Sequence, residues 1–74
     1  MAYEQTFARN LRMLLAKQGM SQKDLAASAD VTEAAVSRYV KGDRIPTLET
    51  AARIADQLGC TLDQLMGREP VTSG

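Results

Sequence analysis

Residues 21–42 read SQKDLAASADVTEAAVSRYVKG, from Ser21 to Gly42. The apolar positions are Leu25, Ala26, Ala29, Val31, Val36 and Tyr39. They fit two short helices packed at a steep angle better than one long helix, because Asp30-Val31-Thr32 breaks the period between them. The first helix is placed over 22–29 and the second over 32–41. Ser21 with Asp24 three residues on is an acidic variant of the capping box. Asp30 falls in a tight turn that calls for positive φ, a conformation in which Asp is tolerated. Thr32 caps the second helix, Glu33 suits its positive N-terminal end, and Gly42 closes it.

Working outward, Phe7, Leu11, Leu14 and Leu15 fall at i, i+4, i+7 and i+8, so residues 4–18 read as an amphipathic helix with Arg9, Arg12 and Lys17 off the stripe. Gly19 stops it, and Met20 folds back onto the core. On the other side, Asp43 to Pro46 is a short loop and Thr47 caps a helix over 48–58. Its expected core face is Leu48, Ala51, Ala52, Ile54, Ala55 and Leu58. Gly59 ends that helix. Thr61-Leu62-Asp63-Gln64 is a second capping box, opening a short helix with Leu62, Leu65 and Met66 facing in, ended by Gly67. The expected architecture is all-α: five helices in one domain over 4–67, then a loose tail over 68–74 carrying Pro70, Ser73 and Gly74.

Size and composition narrow the classes. With 74 residues there is room for one small domain. No His is present, so there is no imidazole base, and the single Cys60 builds neither a disulfide nor a zinc site. No Gly-rich phosphate loop occurs, and acidic residues are scattered over helix surfaces. An enzyme is therefore not expected, nor a cofactor or metal. No apolar run approaches the ~20 residues of a membrane span, so no membrane partner is expected and the cytoplasm is the expected location. Net charge is zero, which argues against a general nucleic-acid binder. The charges are nonetheless skewed. Up to residue 45 there are seven basic and five acidic residues, +2; beyond it there are two and four, −2.

The pair of helices around Asp30 has the helix-turn-helix pattern, a device that places its second helix in the DNA major groove. At about 100° per residue, Val36, Tyr39, Val40 and Thr32 share one side of that helix. Ala34, Ser37, Arg38 and Lys41 share the other, with Glu33 at its edge. Short residues bordered by long polar ones suit entry into a groove about 12 Å wide.

Residues 7–67 resemble the lambda repressor-like family of helix-turn-helix regulators, of the Cro, phage-repressor and xenobiotic-response-element type, found in phages and bacteria. The resemblance rests on Gln22 opening one helix, Ala26 where the two helices touch, and Val36 buried in the next. Lys41-Gly42, Arg44-Ile45-Pro46-Thr47, Leu48, Ala55, Leu58-Gly59 and Leu62 to Met66 then follow in register. The sequence departs from the pattern at Asp30, a position often held by Gly in the family, and in its near-neutral charge.

The resemblance implies that Gln22 bonds a backbone phosphate and steadies the recognition helix; the plainer role is a solvated residue in a helix's first turn. Thr32 is a cap in either reading, whether or not its hydroxyl or methyl also touches DNA. Glu33 can accept from cytosine N4, or simply complement the helix dipole. Ala34 touches a thymine methyl or permits close approach, and Ser37 bonds a base or a phosphate. Arg38 is the strongest base-reading candidate, since pairing to guanine O6 and N7 is worth roughly 1–3 kcal/mol of discrimination. Lys41 and Arg44 read as phosphate contacts, Arg9 and Arg12 as weaker ones. Tyr39 reads as core, and Cys60 as half-buried packing.

The expected function is a sequence-specific DNA-binding transcriptional regulator, most often a repressor, acting as a homodimer on double-stranded DNA with half-sites about 10 bp apart. Its dimer contacts are expected at Cys60, Leu62, Leu65 and Met66. Two alternatives stay open: an antitoxin that also grips a toxin, and a helical protein-interaction module.

Overall fold

A computed structural model describes residues 3–68. Five helices make up the regular structure of these residues: α1 Tyr3–Gln18, α2 Gln22–Ala29, α3 Glu33–Lys41, α4 Leu48–Leu58 and α5 Leu62–Met66. Each begins or ends where the sequence supplies a cap. Ser21 and Asp24 exchange both capping-box bonds, the Asp24 N–H donating to the Ser21 hydroxyl at 3.0 Å and the Ser21 N–H to the Asp24 carboxylate at 3.2 Å. Thr61 and Gln64 do the same at α5, at 3.0 and 2.9 Å. Thr32 and Thr47 accept from the N–H groups of Ala35 and Thr50. Asp30 takes the left-handed conformation at φ 58°, as the turn requires, and is the sole non-glycine with positive φ among the described residues.

The core is built across these helices from Phe7, Leu11, Leu25, Val36, Ile54, Leu58 and Leu65, all fully buried. Helix α1 is the central strut, packing on α3, α4 and α5, while α2 packs on α3 and α4. Phe7 meets Tyr39 edge to face, with ring centroids 6.0 Å apart, and this contact pins α1 to the inner side of α3. Met20 folds back onto the core as expected, its N–H donating to the Leu15 carbonyl at 2.9 Å. Cys60 is half-buried against the core, and that burial pushes its thiol pKa up.

Two residues expected in the α4 core are outside it. Leu48 is 72% exposed and Ala52 is exposed. The buried arc of α4 is Ala51, Ile54, Ala55 and Leu58. At about 100° per residue, Ala52 lies about 110° from the centre of that arc and Leu48 about 70°, in a first turn at the edge of the core. Pro46 is buried, as is Ala51. These are the positions just before the cap and in the second turn where a hydrophobic staple forms. In α5, Leu65 is fully buried, whereas Leu62 and Met66 are half-buried. The tail expected over 68–74 lies outside the described residues apart from Arg68, whose N–H donates to the Asp63 carbonyl at 2.7 Å.

Candidate nucleic-acid interface

Helix α3 is short, and both of its ends are fixed. Thr32 holds the first turn, its hydroxyl accepting from the Ala35 N–H at 3.0 Å. At the other end Gly42 is left-handed at φ 81°, and its N–H turns back to the Arg38 and Tyr39 carbonyls. A Cβ at Gly42 would come within 2.7 Å of the amide end of the exposed Gln5 side chain, which can swing aside, so it is the positive φ that calls for Gly there. Glu33 in the first turn and Arg38 and Lys41 in the last turn all complement the helix dipole.

Burial divides α3 into two faces. Val36 and Tyr39 are buried, and Ala35 and Val40 pack half-buried against the core. Glu33, Ala34, Arg38 and Lys41 are exposed, and Ser37 is half-buried beside them. This matches the two-sided reading of the sequence with one exception: Thr32, grouped there with the inner side, is exposed at the cap. Gln22 is exposed at the start of α2, and Arg44 is exposed in the loop after α3. Along the chain the four phosphate candidates, Gln22, Thr32, Lys41 and Arg44, thus bracket the four base candidates.

Four polar residues matter more to this arrangement than the sequence reading allowed. Arg12 of α1 donates from Nη1 to the Val40 carbonyl of α3 at 2.6 Å. Arg53 of α4 donates from Nε to the Ala29 carbonyl of α2 at 3.0 Å. Asn10 is buried, donating at 3.3 Å to the Gln64 carbonyl of α5. Gln18 reaches the Leu58 carbonyl of α4 at 3.2 Å. A signal existed for Asn10, which shares the i, i+3, i+4, i+7 stripe with Phe7, Leu11 and Leu14. The pairing of Arg53 with Glu49 at i, i+4 was also legible, at 2.9 Å. The carbonyls that the two arginines and Gln18 reach were not.

Of the expected dimer residues, Cys60, Leu62 and Met66 keep some surface. Leu65, at 0% exposure, has none left to offer a second copy. Among the described residues no group of three or more His, Cys, Asp and Glu could hold a metal ion, and no helix is long and apolar enough to cross a membrane.

A capped helix locked to the core by one face and bare on the other, preceded by a shorter helix and a left-handed turn, defines a helix-turn-helix DNA-binding domain. A helix-turn-helix family model matches residues 11–65. The chain is also 30% identical over 64 residues to the repressor protein CI of Enterobacteria phage phi80. The match covers 86% of this chain and 27% of that protein, so the chain spans about a quarter of the length of this curated relative. No solved structure gives a significant match. The chain belongs to the lambda repressor-like family of helix-turn-helix regulators.

Proposed function

We propose that this chain is the sequence-specific DNA-binding part of a transcriptional repressor, reading the major groove with α3. The observation that carries this reading is the outer face of α3. Glu33, Ala34 and Arg38 are exposed and Ser37 half-exposed, on a helix whose inner face is buried through Val36 and Tyr39. Arg38 is assigned to a guanine edge, with Glu33, Ala34 and Ser37 beside it on neighbouring bases. Gln22, Thr32, Lys41 and Arg44 are assigned to phosphates, which fix orientation without reading sequence. The kinship with a phage repressor supports repression as the output.

The domain is assigned to 4–67. It acts in the cytoplasm as a homodimer on a pseudo-palindrome, through surface offered by Cys60, Leu62 and Met66. Zero net charge implies weak non-specific affinity, so base contacts and the second subunit supply much of the binding. The test is selection of bound duplexes from a random library, with a salt titration, on wild type and Arg38→Ala. A two-fold symmetric site, affinity falling steeply with salt, and a base preference relaxed in the mutant are expected. No enrichment at low salt overturns the DNA reading. A monomer both free and on DNA, seen by sedimentation, overturns the dimer.

A further inference from the structure

The last four carbonyls of an α-helix have no partner within the helix. At four helix ends among the described residues, a side chain from a different helix donates to such a carbonyl. Gln18 of α1 serves Leu58 at the end of α4, and Asn10 of α1 serves Gln64 at the end of α5. Those two donors are neutral amides. At the two helices of the helix-turn-helix the donors are guanidiniums: Arg53 on Ala29 of α2 and Arg12 on Val40 of α3. A cation at a helix C-terminus gains from the dipole, and a charge-assisted bond is about twice as strong as a neutral one.

The placement of these bonds is specific. Ala29 directly precedes Asp30, whose left-handed backbone makes the turn, and the Asp30 and Val31 N–H groups both return to the Ala26 carbonyl. Arg53 therefore holds the near side of the turn. It is itself oriented, with Nη1 on the Glu49 carboxylate at 2.9 Å and Nη2 facing the Thr50 hydroxyl at 3.5 Å. The Thr47 hydroxyl in turn donates to that of Thr50 at 3.1 Å. At the far end of α3, the Arg38 and Tyr39 carbonyls are served by the Gly42 N–H, and Arg38 also by the Asp43 N–H, and Arg12 takes the next carbonyl, Val40. The two helices flanking the motif, α1 and α4, thus hold it at the turn and at the end of α3.

We infer that Arg12 and Arg53 are positioning residues for DNA binding, clamping the helix-turn-helix by its backbone carbonyls instead of contacting phosphate. The inference rests on the DNA-binding reading above and changes what Arg12 does within it: the sequence ranks Arg12 as a weak phosphate contact, whereas its guanidinium, at the surface, is engaged by the Val40 carbonyl.

The experiment compares wild type with Arg12→Met, Arg12→Lys, Arg53→Met and Gln18→Met on the selected duplex, at a temperature where all are folded. It adds backbone amide exchange on the free proteins. Arg12→Met and Arg53→Met are expected to lower affinity about tenfold, as for one charge-assisted bond, with the slope of log K against log salt unchanged. Arg12→Lys, which keeps the charge and a donor, recovers most of the loss. Amide protection falls around Tyr39–Asp43 in Arg12→Met and around Asp30–Val31 in Arg53→Met. Gln18→Met, which loses a comparable bond on α4, leaves DNA affinity at the wild-type value. A salt slope shallower by about 0.9 in Arg12→Met marks a phosphate contact and overturns the clamp. So does wild-type affinity in both arginine variants, or a loss in Gln18→Met as large as theirs. If wild type itself selects no duplex, the DNA reading falls and the positioning role with it; wild-type binding with unaffected variants removes the clamp alone.

Discussion

Helices α3 and α4 are built on the same plan and serve different ends. Each has a Thr cap accepting from the third N–H, and each is closed by a left-handed Gly. Helix α4 buries four residues, Ala51, Ile54, Ala55 and Leu58. Helix α3 buries two, Val36 and Tyr39, with Ala35 and Val40 half-buried beside them, and exposes Glu33, Ala34, Arg38 and Lys41. The caps fix where each helix starts and stops; the width of the apolar arc decides how much of the helix the core takes up and how much stays exposed. Even the polar side chains follow this division. Arg53 of α4 is turned to an internal carbonyl, while Arg38 of α3 is exposed.

The largest effect expected from this contrast comes from Ile54→Ala on α4. Ile54 is fully buried, and its truncation should cost ~2–5 kcal/mol, enough to unfold much of so small a domain. Arg38→Ala on α3 should change stability by less than about 0.5 kcal/mol in urea denaturation while relaxing base preference. Equal destabilisation by the two would erase the distinction between the helices.

The turn leading into α3 comes next. Asp30→Ala puts at φ 58° a residue that tolerates the left-handed conformation less well than Asp, and should destabilise by ~1 kcal/mol. Asp30→Gly relieves that backbone strain and removes a carboxylate from the motif, so it should hold or raise stability and tighten DNA binding. A Gly variant clearly less stable than wild type would show that the Asp side chain, not relief of backbone strain, is what the turn needs.

Leu48→Ser sharpens the reading of α4. At 72% exposure Leu48 has little to lose, so the thermal midpoint should move by no more than about 0.5 kcal/mol of stability allows. A core-sized loss would restore the amphipathic reading of the first turn.

The smallest effect concerns Asp24 in the α2 capping box. The Ser21 backbone N–H bond, then the Ser21 hydroxyl, hold its pKa below the ordinary 3.8. A carboxylate with a lowered folded pKa stabilises fully above the unfolded value and loses that contribution as pH falls through the folded one. Asp24→Asn should therefore be slightly less stable than wild type at neutral pH, with the gap closing as pH drops below 3.8. A gap that persists in acid would assign the bond strength to geometry alone.

Much of this was legible in the chain itself. Helix ends are local events: Ser21, Thr32, Thr47 and Thr61 sit three residues from the groups they cap, and Gly42, Gly59 and Gly67 directly follow the last residues of α3, α4 and α5. The two faces of α3 were readable for the same reason, since nine residues at a fixed period fix which side chains share a side. The sequence misjudged Leu48 and Ala52 because periodicity gives the direction of a side chain, not the extent of the core beneath it. It also placed Leu65 in a dimer contact, although α1 and α4 leave that residue no surface.

The sequence by itself determined the five helices, their caps, the left-handed turn at Asp30 and the face of α3 that stays polar, because each depends on residues within a turn or two of one another. The tertiary structure alone decided the partners of Asn10, Arg12, Gln18 and Arg53, which lie 54, 28, 40 and 24 residues away along the chain. Those bonds exist because α1 and α4 pack with their polar side chains against the C-terminal ends of other helices. A backbone carbonyl carries no mark in the sequence of the side chain that will reach it.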